Sequence, residues 1–341
     1  MNQASARRTD RRELPPEELE AIAATPLRTA AGPLPPRPRR VDRIDSSLGP
    51  LVRKQWLGRA GSRAAMREQR GATLLLDHGI RTPIPVGWRP ATRDVGALSL
   101  TCLVAGARDL VDAWAALDTG ALATDPGARR RAARRLLVAA GHEIGALHRA
   151  GFAHGDLHAR NLLVDGDGSV WIVDLARLGR GGRAARDRDL HALWHHFAWR
   201  TTARERLAFL VACGDLPADR DARRRRLRAL ATAAEASRQR FLRHHERRCD
   251  GSGREFERFT AGTGAAAATG VISRLVAPAV RATLLAEFCA SPLRRLPERL
   301  GAAGARRLHR RADGSSEVWR LDLPASSASA DGSVHVPTVV A

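Results

Sequence analysis

Residues 161–174 read NLLVDGDGSVWIVD, two short apolar runs on either side of DGDG. Asp and Gly supply turn conformations that β-branched and aromatic residues avoid, so the segment predicts an antiparallel hairpin closed by DGDG. Such a hairpin places Asn161 and Asp174 together at its open end, with Asp156 in a loop a few residues before it. One amide oxygen and two carboxylates then converge on a small volume. Oxygen ligands of this type suit Mg2+, which binds through one or two carboxylates and takes further ligands from substrate phosphates.

The asparagine in this segment is one of only two in the chain, the other being Asn2. Lysine is rarer still: of 57 basic side chains, Lys54 alone is not arginine. An ammonium is a compact point charge that a guanidinium does not replace well at a confined phosphate site. Lys54 lies in LVRKQW (51–56), a strand-like run joined by the turn SSLGP to RRVDRID (39–45). A helix is expected over 63–79, closed by Gly79 and carrying Glu68. IRTPIPVGWR and GALSLTCLVAG (96–106) read as two further strands. Asp156 and Asn161 have the spacing D-x-x-x-x-N, and Asp174 stands where a metal-binding carboxylate is needed. With a strand lysine and a helix glutamate to hold the α- and β-phosphates, these are the parts of phosphotransfer enzymes of the protein-kinase fold.

The periodicity divides the chain into four parts. Residues 1–26 read as a flexible tail, and 27–106 as a small β-rich lobe with one helix. Residues 107–258 read as a larger helical lobe, with helices over 129–151, 186–199, 202–213 and 221–248. Residues 259–341 read as an appendage, with a helix near 271–289 and a possible hairpin in RRLHRRADGSSEVWRLDLP. The expected fold class is α+β, bilobal and protein-kinase-like. A net charge of +21 points to anionic partners. Aromatics are 4% and tyrosine is absent, which leaves few stacking platforms and argues against single-stranded nucleic acid. Four cysteines at unrelated spacings fit reduced thiols. The first residues lack the apolar core of a signal peptide, and no apolar run is long enough to span a bilayer, so a cytoplasmic protein is expected.

LHRAGFAHGDLHARNLLV and VWIVDLARLGRG together resemble the bacterial lipopolysaccharide kinase family, the Kdo and heptose kinases of inner-core assembly. RKQW and MREQRGATLLLDHGIRTPIPVG are similar to the same family's lysine strand, helix and following turn. RDRDL (186–190) resembles its helix after a short activation segment, and RRRRLRALATAAEASRQRFLRHHERRC its basic helical part. The likeness covers about residues 30–255. It implies ATP, Mg2+ and transfer of the γ-phosphate to a sugar hydroxyl on an anionic, lipid-linked saccharide, and the net charge of +21 suits peripheral contact with the cytoplasmic membrane surface. It makes Asp156 the catalytic base or hydroxyl-orienting group, Asn161 and Asp174 the Mg2+ ligands, Lys54 the phosphate contact and Glu68 its partner. On the same grounds His154 would brace the catalytic loop and Asp189 would hold its backbone. Backbone groups of Cys102, Leu103 and Val104 would meet the adenine.

The chain departs from protein kinases at Asp174-Leu175-Ala176, where Phe-Gly is missing, and no APE motif follows; both argue against a protein acceptor. The glycine-rich phosphate loop is represented by Gly32 among prolines. Two alternatives remain open at this level. HGDLH with a later Asn and Asp recurs in aminoglycoside- and choline-type small-molecule phosphotransferases. The poor glycine loop would suit a nucleotide-binding pseudokinase.

Overall fold

A computed structural model describes residues 13–25, 39–58, 60–93, 95–119, 122, 124–197, 201–249, 256–261, 268–273, 304–310, 317–322 and 338–340. The chain forms two compact units, residues 1–28 with 37–239 and residues 29–36 with 240–341. The first unit mixes helix and sheet, the second holds a sheet and the end of one helix, and the fold class is α+β.

In the first unit, β1 (Arg39–Ile44) and β2 (Leu51–Trp56) pair as the expected hairpin, with Lys54 opposite Val41. β3 (Pro85–Arg89) and β4 (Ala97–Cys102) complete an antiparallel sheet in the order β1-β2-β4-β3. Side chains alternate between the faces of a sheet. Leu51, Leu98 and Leu100 therefore share one face and join a core with Leu14, Ile22, Ala23 and Val86. Trp56 and Ala97 lie on the other and pack against Ala65 of α2 (Gly61–Asp77). Lys54 belongs to this second face, so the helix that carries Glu68 covers it.

Residues 13–25 lie within the segment read as a tail, yet they dock on the first face. Pro16 opens helix α1 (Pro16–Ala24), with Glu17 and Glu18 in its first turn, where proline geometry and negative charge both favour a helix start. Leu14 N–H donates to Val86 O at 3.0 Å, and Glu18 accepts from Ser47. Arg53, buried in β2, forks onto Asp42 at 2.8 and 2.6 Å and donates to Ile22 O and Thr25 O, both at 2.7 Å. Carbonyls at a helix C-terminus have no partner within the helix, and a paired guanidinium satisfies them. That clamp joins residues about thirty apart, which local periodicity does not register.

The rest of the unit is mainly helical. α3 (Leu110–Ala115) and α4 (Pro126–Arg149) are capped by Asp109 and Asp125. α5 (Arg183–Phe197) and α6 (Ala203–Cys213) follow, the latter with a Thr202–Glu205 capping box, and then α7 (Arg220–Cys249), of which residues 240–249 belong to the second unit. α4 and α6 touch backbone to backbone at two glycines. A Cβ on Gly141 would lie 2.6 Å from Phe209 O, and one on Gly145 2.5 Å from Cys213 O. The core they enclose includes Leu137, Ile144, Leu147, Phe152, Ile172 and Phe209. Three short strands contribute to this core, β6 (Phe152–Ala153), β7 (Leu162–Val164) and β8 (Val170–Ile172), whereas both residues of β9 (Gly179–Arg180) are exposed. β5 (Arg108–Asp109) pairs with β7, β7 with β8, and β6 with β9. The DGDG turn closes β7 onto β8. Asp165 accepts from the Asp167 and Ser169 N–H groups and from the Trp171 indole at 2.8 Å.

The second unit contains β10 (Phe256–Ala261), β11 (Ala268–Ser273), β12 (Gly304–Arg310), β13 (Glu317–Asp322) and β14 (Thr338–Val340), in the order β10-β11-β14-β13-β12. β12 and β13 pair antiparallel where a hairpin was expected. The expected helix over 271–289 is different. Residues 271–273 end a strand, with Val271 and Ile272 paired to Val340 and Val339, and β-branched residues favour that pleated environment. The remainder of that segment lies outside the described residues. No described helix is long and apolar enough to cross a membrane.

Candidate active site

Lys54 reaches from the sheet to α2. Its Nζ donates to Glu68 Oε1 at 2.5 Å, with side-chain exposures of 12% and 4%. The other carboxylate oxygen, Glu68 Oε2, is buried with no partner among the described residues. A carboxylate that shielded is retained only beside a cation, because desolvating an unpaired charge costs several kcal/mol.

The loop between β6 and β7 is held from below. Asp189 of α5, fully buried, accepts from His154 N–H at 2.7 Å and Gly155 N–H at 2.9 Å, and meets His148 Nε2 at 3.3 Å. His154 is also fully buried. Its Nδ1 accepts from Asp156 N–H at 3.3 Å and its Nε2 donates to Val173 O at 2.9 Å, which assigns the proton to Nε2. One imidazole thus ties the Asp156 loop to the residue before Asp174. Gly155 has φ +77°, and a Cβ there would lie 2.7 Å from Arg177 O, so the loop needs glycine at this point.

Asn161, buried at the start of β7, donates from Nδ2 to Asp156 O at 2.9 Å. Its amide oxygen has no hydrogen-bond partner among the described residues. Asp174 follows β8 in the left-handed conformation, φ 67° and ψ 56°, and among the described residues no other non-glycine has positive φ. Aspartate tolerates that conformation better than most residues. Burial opposes ionisation of Asp174, but the Arg39 hydrogen bond and the charges of Lys54 and Arg39 outweigh it. They hold the carboxyl below the usual carboxylate range. Asp156 is the open member of the group, 45% exposed, with its Oδ2 3.9 Å from Arg177 Nη1.

The structure therefore joins Lys54 to Glu68, and Asp156, Asn161, His154 and Asp189 into one hydrogen-bonded loop, with Asp174 within the field of Lys54. Cys102, Leu103 and Val104 leave the sheet at the end of β4. Cys102 N–H is committed to Ile84 O and Leu103 N–H to Pro50 O, whereas Val104 N–H has no partner among the described residues.

Sequence reasoning missed Arg39, whose Nη1 pairs with Asp174 Oδ1. One arginine among 56 carries no local signal. It missed Arg177 for the same reason. His158 also faces this group; burial lowers its pKa against the opposing pull of Asp156 and Asp174.

The donor set fits a hard cation. Asn161 offers an amide oxygen and Asp174 an ionised carboxylate, both oxygen ligands of the kind Mg2+ takes. Among the described residues no group of three or more His, Cys, Asp or Glu could hold a metal alone. A divalent ion here would take its remaining ligands from phosphate and water.

No curated protein matches the chain. Residues 43–212 match the model of the Lipopolysaccharide kinase (Kdo/WaaP) family. The matched segment contains Lys54, Glu68, His154, Asp156, Asn161, Asp174 and Asp189 and leaves Arg39 outside it. Over residues 43–212 the chain belongs to this lipopolysaccharide kinase family and is a transferase that phosphorylates a sugar hydroxyl.

Proposed function

We propose that the first unit is a bilobal, protein-kinase-like fold that uses ATP and Mg2+ to phosphorylate a sugar hydroxyl on an anionic, lipid-linked saccharide of inner-core type. The observation that carries this reading is the pairing of the sole lysine with a buried Glu68, with the Lys54 charge reaching Asp174 at the end of the β7–β8 hairpin. Lys54, fixed by Glu68, holds the α- and β-phosphates. Asn161 and Asp174 hold Mg2+, which offsets the charge of the β- and γ-phosphates when bound. Val104 N–H meets the adenine edge, and Val41, 53% exposed and opposite Lys54, offers an apolar surface beside it.

Asp156 aligns the acceptor hydroxyl. The hydroxyl oxygen forms its bond to the γ-phosphorus as the bond to the β–γ bridging oxygen breaks, ADP leaves, and the hydroxyl proton passes to the Asp156 carboxylate. Catalysis of this type is positioning and electrostatics more than covalent chemistry. The Asp189 and His154 bonds supply the positioning. Arg177, 70% exposed beside Asp156, and Arg160, 61% exposed nearby in the chain, suit an acidic acceptor. The net charge of +21 also suits peripheral contact with an anionic cytoplasmic membrane surface.

The test is transfer of label from γ-labelled ATP, with Mg2+, to fractions of a source-cell lysate, beside an Asp156→Ala control. Label entering the lipid–saccharide fraction only with intact Asp156 supports the proposal. Label in small molecules would favour an aminoglycoside- or choline-type acceptor. No label above the control would overturn the assigned role of Asp156.

A further inference from the structure

Arg39 opens β1, and its guanidinium crosses to Asp174, 135 residues later in the chain. Arg39 lies opposite Trp56 and Val41 opposite Lys54, so Arg39 and Lys54 share the face of the sheet turned toward the site. The Arg39 side chain is 39% exposed, whereas that of Asp174 is 13% exposed and fixed by its backbone conformation. Arg39 is the movable partner. Besides Asp174 it feels the charges of Glu68 and Asp156.

The cations and carboxylates here are poised for an exchange. Asp174 Oδ1 cannot give the same lone pairs to a guanidinium and to a divalent ion, and the ion carries twice the charge. Once displaced, Arg39 is left beside the phosphates that the ion gathers, and its planar fork matches phosphate oxygens in a bidentate way. The sequence adds a reason for needing it. Residues 33–38, just before β1, read PLPPRP, and four of those six positions are prolines with no backbone N–H to offer a phosphate. A side-chain donor takes over what backbone donors of a glycine-rich loop supply elsewhere.

We propose that Arg39 is a phosphate-binding residue of the nucleotide site that exchanges partners, pairing with Asp174 when the site is empty and with the terminal phosphates when Mg-nucleotide is bound. This rests on the reading of the site as a nucleotide site. The test is calorimetric titration of the full chain with the non-hydrolysable β,γ-imido analogue of ATP in saturating Mg2+, for wild type, Arg39→Ala and Arg39→Lys. Arg39→Ala is expected to weaken binding about tenfold or more, and Arg39→Lys, which keeps the charge and loses the fork, a few-fold. In a separate titration with Mg2+ alone, Arg39→Ala is expected to bind the ion more tightly, because Asp174 has lost its competitor.

Unchanged or tighter nucleotide binding by Arg39→Ala would overturn the proposal and leave Arg39 a simple clamp on Asp174. Should circular dichroism show that Arg39→Ala does not fold, Arg39→Lys decides: a few-fold loss supports the exchange and wild-type affinity overturns it. Absence of binding by the wild type would instead sink the nucleotide-site reading itself.

Discussion

The carboxylate of Asp189, on α5, lies 2.7 Å from the backbone nitrogen of His154, 35 residues earlier in the chain. The two are buried together, and Asp189 also takes the Gly155 N–H. A helix side chain thereby fixes the backbone of the loop that presents Asp156.

Asp189→Ala should therefore loosen that loop. Two N–H groups would lose a charged acceptor, at about 1.5–3 kcal/mol each before relaxation. We expect a net loss of about 3 kcal/mol in urea unfolding and a drop in kcat of at least tenfold with a smaller change in KM for ATP. Wild-type stability in this variant would show that the bonds do not hold the loop.

Lys54→Met should cost stability as well as turnover, since it leaves Glu68 buried without its ammonium. Stranding one partner of a buried pair costs about 3–5 kcal/mol, whereas replacing both by apolar groups is often neutral. The double variant Lys54→Met/Glu68→Leu is accordingly expected to be more stable than Lys54→Met, while remaining inactive. A double variant less stable than the single one would contradict this account.

Gly145→Ala places a methyl 2.5 Å from Cys213 O at the contact of α4 with α6. Alanine gains about 1 kcal/mol of helix propensity over glycine, but backbone cannot yield as a flexible side chain does. We expect a net destabilisation of about 1–3 kcal/mol by thermal or urea unfolding. A stabilised variant would mean that the helices are not packed this closely.

Arg226, buried on α7, joins Asp187 on α5 at 2.5 Å to Asp215 after α6 at 2.5 Å. Burial alone would raise the Asp187 pKa; the hydrogen bond and charge of Arg226 outweigh it and lower it. A carboxyl whose folded pKa is depressed contributes stability that is present above its unfolded value and is lost as pH falls toward the folded one. Arg226→Met is thus expected to cost about 2 kcal/mol at pH 7, and the gap from wild type should narrow below about pH 4. Unfolding curves from pH 7 to pH 3 measure it; a gap independent of pH would assign the loss to packing alone.

Much of the site could be read directly from the chain because its signals are short-range. The DGDG turn, the Asp156–Asn161 spacing, the lysine strand and the glutamate helix each depend on neighbours a few residues apart, and turn chemistry and side-chain alternation act on that scale. α1 was not legible as structure, because its anchor is Arg53 on a strand about thirty residues away. The close approach of α4 and α6 was hidden too: a glycine in a helix reads as a weak point until a second backbone is seen against it.

By itself the sequence singled out the residues proposed here as a phosphate and metal site and the order in which they come. Only the tertiary structure decided their partners. Arg39 finds Asp174 across 135 residues, and Asp189 finds the backbone of His154 across 35. Such pairs arise when apolar cores bring distant segments together and leave buried charges that must be matched. In a chain with 56 arginines, composition cannot say which one that will be.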